Sequence, residues 1–378
     1  RHFASQRWLP VSAPARAPGR AADVIVIGGG LVGLACAAAL SERGVRVTLL
    51  THVRLGEASP AAAGVLAPSV DRTGGPEMAF SIAARDRFPA YLDMLRERTG
   101  ITVPLNRLGI LEVALRAAHA DALRSRADGS RWLDPGDVAA LEPALAHHHG
   151  ARLHADDGAV NNLVLLRALK ALLGGDRKVT IVSAAARSLA FSPFAATVTT
   201  AADDRYTADA VVVAGGAWAP QLEGLPRLLP VVPVRGQMIS VAGSPVRHVV
   251  IGGEGYLVPR GDGRTLVGGT MERVGFDPAT TDAGLRSVRE AGAAICPVIG
   301  TARLLSGWAG LRPMTPDLLP VIGRDPEQPR VLYACGHSRN GILLAPLTGE
   351  CVARLAVGDA PPFALEPFRA DRWPTSVS

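Results

Sequence analysis

Long apolar runs are nearly missing from this 378-residue chain, and apart from the seventeen residues Val24 to Leu40 no stretch approaches the length of a membrane span. Three adjacent glycines at 28–30 and a second strand-like run after it exclude a span there too. Cysteine is scarce. The four residues Cys36, Cys296, Cys335 and Cys351 show no C-x-x-C spacing, which excludes that type of metal or redox site. They fit a reducing cytoplasm as small buried residues, with no disulfide expected. Acidic residues are absent from the first twenty positions, which carry four arginines. Once these are set aside, 36 basic groups face 34 acidic ones, and a near-neutral body argues against nucleic acid as the partner. Residues 1–21, rich in Pro and Ala without apolar periodicity, are expected to be a disordered tail. An Arg-rich, acid-free transit peptide is the other reading of that composition. A second cluster of metal ligands is also lacking. His147, His148 and His149 are consecutive, so their side chains diverge, and a solvated loop is expected instead of a metal site.

What is present begins at "VIVIGGGLVGLACAAALSERGVRVTLLTH", residues 24 to 52. A β-branched strand feeds Gly28, Gly30 and Gly33, the G-x-G-x-x-G turn of a dinucleotide site. Gly28 permits the tight turn, Gly30 lets the backbone approach a pyrophosphate, and Gly33 lets helix and strand pack closely. The helix N-terminus then presents N–H groups to the phosphates. That helix ends at Ser41-Glu42-Arg43-Gly44, and a second strand runs from Val45 to Leu50. A carboxylate is expected just beyond this strand, to accept hydrogen bonds from the ribose, but Thr51 stands there.

Further along, residues 81–100 read as one amphipathic helix and 107–115 as a strand. "ADAVVVAGGAWAP", residues 208 to 220, reads as a buried strand returning to the nucleotide sheet. Residues 232–241 and 255–270 belong to a second sheet, with a hairpin turn at Gly261 to Arg264, and a helix is expected near 280–293. Residues 330–355 give strand, glycine-rich turn and helix, with Pro346 tolerable only near the first turn. The fold class is therefore α/β, α+β overall: a Rossmann-like nucleotide domain interrupted twice by an antiparallel-sheet substrate domain. The expected boundaries are 22–95, 150–228 and 306–378 for the first, and 96–149 and 229–305 for the second.

The glycine triplet, "AAAGVLAP" (61–68), "PVRGQM" (233–238), "WAGLRPMTPDLLPVIG" (308–323) and "GHSRNGILLAPLTG" (336–349) resemble the thiamine-biosynthesis branch of the D-amino acid oxidase family of flavoproteins, the glycine oxidases. The resemblance covers about residues 22 to 374. It implies non-covalent FAD, held by Gly28, Gly30, Leu31, Val32, Gly33, Thr51, His52, Ser59, Ala63, Gly64, Val65, Ala186 and the loop His337, Ser338, Arg339, Asn340, Gly341, Ile342 and Leu343. It also implies that Arg312 holds the substrate carboxylate, Tyr256 and Met271 wall the substrate pocket, and Arg339 stands at its mouth beside the flavin. At Thr51 the family normally carries glutamate. At Ser338 related sequences usually carry an aromatic residue, so a wider entrance and a substrate larger than glycine are expected.

The implied activity is oxidative deamination of glycine, sarcosine or a small D-amino acid such as D-alanine. The products are a 2-oxo acid, ammonia and hydrogen peroxide, with the imine supplying thiamine thiazole synthesis. No side-chain base is evident, so the substrate is expected to react as the neutral amine. Two other readings stay open: a D-amino acid dehydrogenase passing electrons to a quinone, and a flavin oxidase of a modified RNA base. The implied partners are a small amino acid and oxygen, in a cytoplasmic homo-oligomer, expected to be a tetramer, without a membrane span or metal.

Overall fold

The computed structural model describes residues 22–70 and 75–373. The tail expected at 1–21 lies outside them. Six strands form a sheet in the order Val321–Arg324, Val331–Cys335, Ala210–Val213, Val24–Ile27, Val47–Thr51 and Val179–Ser183. All neighbours are parallel except the first pair. Residues 208–220 thus rejoin the nucleotide sheet, Val24 lying opposite Ala210.

The strands inside this sheet run mostly apolar on both faces because each face has a cover. Val24, Val26, Leu49, Val212 and Leu332 pack under the helices Leu31–Glu42, Asn162–Gly174 and Gly341–Val357. Their alternates Ile25, Ile27, Leu50, Val211 and Tyr333 pack under a three-stranded antiparallel meander, Ala186–Phe191, Ala196–Thr200 and Arg205–Ala208. Two-residue side-chain periodicity splits one strand between two cores.

The second sheet has eight strands. In order they are Leu304–Met314, Val232–Ala242, Arg264–Gly268, Gly255–Arg260, Val249–Gly252, Ile110–Val113, Ala151–His154 and Arg131–Leu133. It is antiparallel but for one parallel pair, Val249–Gly252 with Ile110–Val113. The hairpin at 261–263 forms as expected, and helix Asp282–Ile295 covers one face through Val288 and Ile295. Ala151–His154 and Leu304–Met314 pair in this sheet, whereas the boundaries expected from sequence put the segments beginning at 150 and 306 in the nucleotide domain. Ala151–His154 pairs with Ile110–Val113, 38 to 44 residues away along the chain, and Leu304–Met314 with Val232–Ala242, 63 to 82 residues away, so short-range pattern does not place them.

Three local expectations change. The helix expected over 81–100 is two, Pro76–Asp86 and Phe88–Thr99, because Pro89 starts a new helix where it cannot continue the old one. Pro346 lies inside helix Gly341–Val357, beyond its first turn, and is buried there. His148, expected in a solvated loop, is buried, because the segment turns back onto the eight-stranded sheet, His149 N donating to Ala114 O at 2.8 Å. Burial and its neighbours His147 and His149 push its pKa down. All four cysteines are buried and unpaired. Among the described residues no helix is long and apolar enough to cross a membrane, and no group of three or more metal-ligating side chains gathers.

Candidate functional site

A cavity of about 580 Å³ opens where the carboxyl ends of the parallel strands meet the eight-stranded sheet. That position suits a ligand at the switch in strand order between Val24–Ile27 and its two neighbours. Gly28 stands at the end of the first strand with φ +118°, and a Cβ there would meet Ala214 O at 2.4 Å. Gly30, Leu31 and Val32 line the cavity and begin the helix, whose first turn carries no acid and whose end residue makes no side-chain cap. Ser59 Oγ accepts from Leu31 N at 2.9 Å. Gly33 does not line the cavity: a Cβ on it would come within 1.9 Å of Gly28 O, which makes it the packing glycine of the turn.

Opposite this turn lies the segment Ser59 to Val65. Arg260, buried at 9% exposure, donates to Ala63 O and Asn162 Oδ1 at 3.0 Å and to Val160 O at 3.1 Å. Asn162 Nδ2 donates to Ser59 O at 2.9 Å. A cation with only neutral acceptors pays the cost of desolvation, and the pKa of Arg260 is pushed down to about 10. The side chain ties the eight-stranded sheet to the cavity floor. The sequence offered no motif for it.

At the other end, the turn after Val331–Cys335 enters helix Gly341–Val357. Its first turn is again free of acid, with Asn340 at the helix end making no side-chain cap. Ser338 holds φ +51°, and its N–H donates to Pro313 O at 2.9 Å. Its buried hydroxyl faces Thr315 Oγ1 at 3.4 Å. His337 is buried, its Nε2 3.0 Å from Thr348 Oγ1, and burial pushes its pKa down to about 3. It is neutral at physiological pH.

The substrate end is built on two glycines of the eight-stranded sheet. The Arg312 guanidinium lies over Gly236, where a Cβ would meet Nη1 at 2.0 Å, and Nη1 donates to Thr270 O at 3.0 Å. The Tyr256 phenol lies over Gly268, where a Cβ would meet its oxygen at 2.2 Å. Burial pushes the Tyr256 pKa up, while a hydrogen bond with Arg312 and the charge of Arg339 act the other way. Met238, 3% exposed, lines the cavity beside them, its sulfur 3.8 Å from the Tyr256 hydroxyl.

Most of the residues singled out from sequence converge here. Gly28, Gly30, Leu31, Val32, His52, Ser59, Ala63, Gly64, Val65, Ala186, Tyr256, Arg312 and His337 to Ile342 all line the one cavity. Leu343 is buried in the helix core, and the Thr51 side chain rests against Gly29, so neither is part of the lining. Met271 is 55% exposed and outside the lining, and Met238 stands in the wall. Trp218 also lines the cavity, with Arg54 stacked over its ring at 5.5 Å, and no sequence signal marked it.

The glycine turn and the two acid-free helix starts on one cavity fit a flavin dinucleotide. The first would take the pyrophosphate. The second would face the electron-rich end of the ring.

Comparison with known proteins points to the same cofactor. Residues 23–355 match the family described as DAO, FAD dependent oxidoreductase. A bifunctional protein ThiO/ThiG of a Synechocystis species is 34% identical over 374 residues, 94% of this chain, and the chain spans 55% of that protein's length. A glycine oxidase of Geobacillus kaustophilus is 34% identical over 93% of this chain and 97% of its own. The crystal structure of glycine oxidase from Geobacillus kaustophilus superposes with a TM-score of 0.87 at 32% identity, covering 93% of this chain and 99% of that one.

Proposed function

The chain belongs to the DAO family of FAD-dependent oxidoreductases, and from that premise we propose that it oxidatively deaminates glycine and other small amines or D-amino acids, including sarcosine and D-alanine, with oxygen as acceptor. The products are a 2-oxo acid, hydrogen peroxide and ammonia, or methylamine where sarcosine is the substrate, and the imine formed from glycine would supply thiazole synthesis for thiamine. Bound FAD supplies the two-electron oxidation and its discharge to oxygen.

The observation that carries this reading is the pairing of Arg312 with Tyr256 at one end of the cavity. With Nη1 held by Thr270 O, the remaining guanidinium N–H groups form a planar fork that suits a carboxylate. The Tyr256 hydroxyl, kept protonated by its raised pKa, adds a neutral donor. Met238 and Ile251 give the chamber apolar walls, which exclude water and strengthen both contacts.

No side chain of the lining is placed to remove the amine proton. Glu57 is the one carboxylate lining the cavity among the described residues, and its Oε1 accepts from Arg54 N at 3.0 Å. His337 is held by Thr348. The substrate therefore reacts as the neutral amine, and the rise of rate with pH should follow the substrate's own amine.

Peroxide release measured over glycine, sarcosine and a panel of D- and L-amino acids tests the proposal. Peroxide from glycine, sarcosine or D-alanine supports it. Turnover only with an artificial quinone-type acceptor, without peroxide under air, would replace it by the dehydrogenase reading. The same reading places the enzyme in the cytoplasm as a homo-oligomer, expected to be a tetramer, which size-exclusion chromatography with light scattering checks.

A further inference from the structure

The segment "PVRGQM" supplies Gly236 and Met238 to the cavity, yet Arg235 and Gln237 are absent from its lining. In an extended strand they point to the face opposite Gly236. Both are nevertheless buried, at 4% and 0% exposure. What they hold is the segment 270–281, which follows the strand Arg264–Gly268.

The contacts form a chain. Arg235 exchanges main-chain hydrogen bonds with Glu272, 2.9 Å in each direction, and its guanidinium pairs with Glu272 Oε2 through Nε, at 3.1 Å, and Nη2. Glu272 Oε1 accepts from Gln237 Nε2 at 2.8 Å and from the Thr270 hydroxyl. Thr270 Oγ1 in turn accepts from Gln237 N at 3.0 Å. The Thr270 carbonyl is the acceptor that fixes Arg312. At the far end of the segment, Asp277 accepts from Arg235 Nη1 at 2.8 Å, and Thr281 N donates to Gln237 Oε1 at 2.8 Å.

We infer that Arg235, Gln237 and Glu272 are positioning residues for the substrate arginine: their network sets the Thr270 carbonyl, which aims the Arg312 fork across Gly236 at the substrate carboxylate. The inference rests on the functional reading above, in which Arg312 is the carboxylate clamp. A largely buried ion pair, here with the Glu272 side chain 26% exposed, is a poor source of stability, because apolar residues of like volume often do as well. Placing one atom is a use that apolar packing cannot copy. The pair suits it, since both partners carry directional donors or acceptors and each is engaged by a second residue. Arg312 itself cannot be aimed from below, where Gly236 offers no side chain.

The test uses the FAD-loaded enzyme with glycolate, a carboxylate lacking the amine, titrated by the change it causes in the absorbance of bound FAD. Glu272→Ala should weaken glycolate about tenfold, equivalent to about 1.4 kcal/mol, and raise the KM for glycine by a like factor while kcat changes less than about twofold. FAD content should stay at the parent's level, and Glu272→Gln, which keeps hydrogen bonds but not the charge, should lie between parent and Ala. Asp262→Asn, at an exposed ion pair of the neighbouring hairpin, should leave glycolate affinity unchanged.

A folded, FAD-replete Glu272→Ala enzyme with the parent's glycolate affinity overturns the inference, as does loss of melting temperature and kcat with that affinity intact. If the Ala variant does not fold, Arg235→Met with Glu272→Leu replaces the pair by apolar residues. Weaker glycolate binding at a retained melting temperature then supports the relay, and unchanged binding overturns it. A parent protein that binds no glycolate overturns the functional reading itself.

Discussion

Arg312 lies over Gly236 so closely that a Cβ there would stand 2.0 Å from Nη1 and 2.4 Å from the central guanidinium carbon, and the guanidinium would have to move aside. Gly236→Ala should therefore displace the clamp without touching the nucleotide turn. The expected outcome is a yellow protein with a KM for glycine raised tenfold or more, about 1.4 kcal/mol or above. Arg312→Ala should do the same by removing the charge, at a cost of about 1.5 to 3 kcal/mol of substrate binding. Steady-state kinetics with FAD content measured in parallel checks both. Parent-like KM in either variant would take the carboxylate role away from Arg312.

Arg260 gives a prediction about the cofactor end. Its guanidinium satisfies three acceptors, two of them carbonyls of the Ala63 and Val160 backbone. Arg260→Met keeps much of the apolar stem and leaves these acceptors buried without donors, each worth about 1 to 3 kcal/mol. Thermal melts should show a loss of stability of about 3 kcal/mol, and FAD should dissociate more readily because the Ser59 to Val65 segment is no longer held. A variant that melts with the parent and keeps its FAD through dialysis contradicts the structural role.

His337 sets part of the acid sensitivity. Burial holds its pKa at about 3, while an exposed histidine of the unfolded chain titrates near 6.5. Below pH about 6.5 the unfolded chain gains a proton that the folded one refuses, so this contribution is complete above that pH and drains as pH falls toward 3. The slope is at most about 1.4 kcal/mol per pH unit. His337→Gln, which cannot titrate, should flatten the fall in melting temperature between pH 6 and pH 4. Parallel curves for parent and variant would show that other groups govern acid unfolding.

Legibility in the sequence followed the range of the interaction. The Gly28 turn, its helix and the return strand at Ala210–Val213 could be read because a tight turn and a buried β-branched run are local features. Arg312 could be read only as part of a resembling motif; nothing around it in the chain predicts a carboxylate clamp. Gly236 and Gly268 were invisible as supports, since their need arises from Arg312 and Tyr256, side chains 76 and 12 residues away. Met271 illustrates the reverse error of position. Its segment is drawn against Arg235 by Glu272, and the side chain is left 55% exposed while Met238 takes the wall. Ion-pair geometry of that kind is not encoded in any window of sequence.

Thr51 ends its strand with the side chain turned onto the nucleotide turn: a Cβ on Gly29 would meet its hydroxyl at 2.0 Å. The ribose of a dinucleotide is ordinarily held from this position by a carboxylate, and Thr51 offers one hydroxyl that does not line the cavity. His52, next in the chain, does line it and is exposed. A neutral hydrogen bond is worth about 0.5 to 1.5 kcal/mol net and one to a charged acceptor about 1.5 to 3. The difference of about 1 kcal/mol corresponds to about five- to tenfold in affinity. Glu57, the nearest carboxylate of the lining, is already engaged by Arg54 N. The enzyme should therefore be isolated partly without FAD, with added FAD raising both activity and melting temperature. Thr51→Glu, whose longer side chain can reach past Gly29 to the ribose hydroxyls, should tighten FAD severalfold in fluorescence-quenching titrations without changing KM for glycine. Full FAD occupancy surviving prolonged dialysis, together with no gain from Thr51→Glu, would mean that the glycine turn and the two helix N-termini alone hold the cofactor.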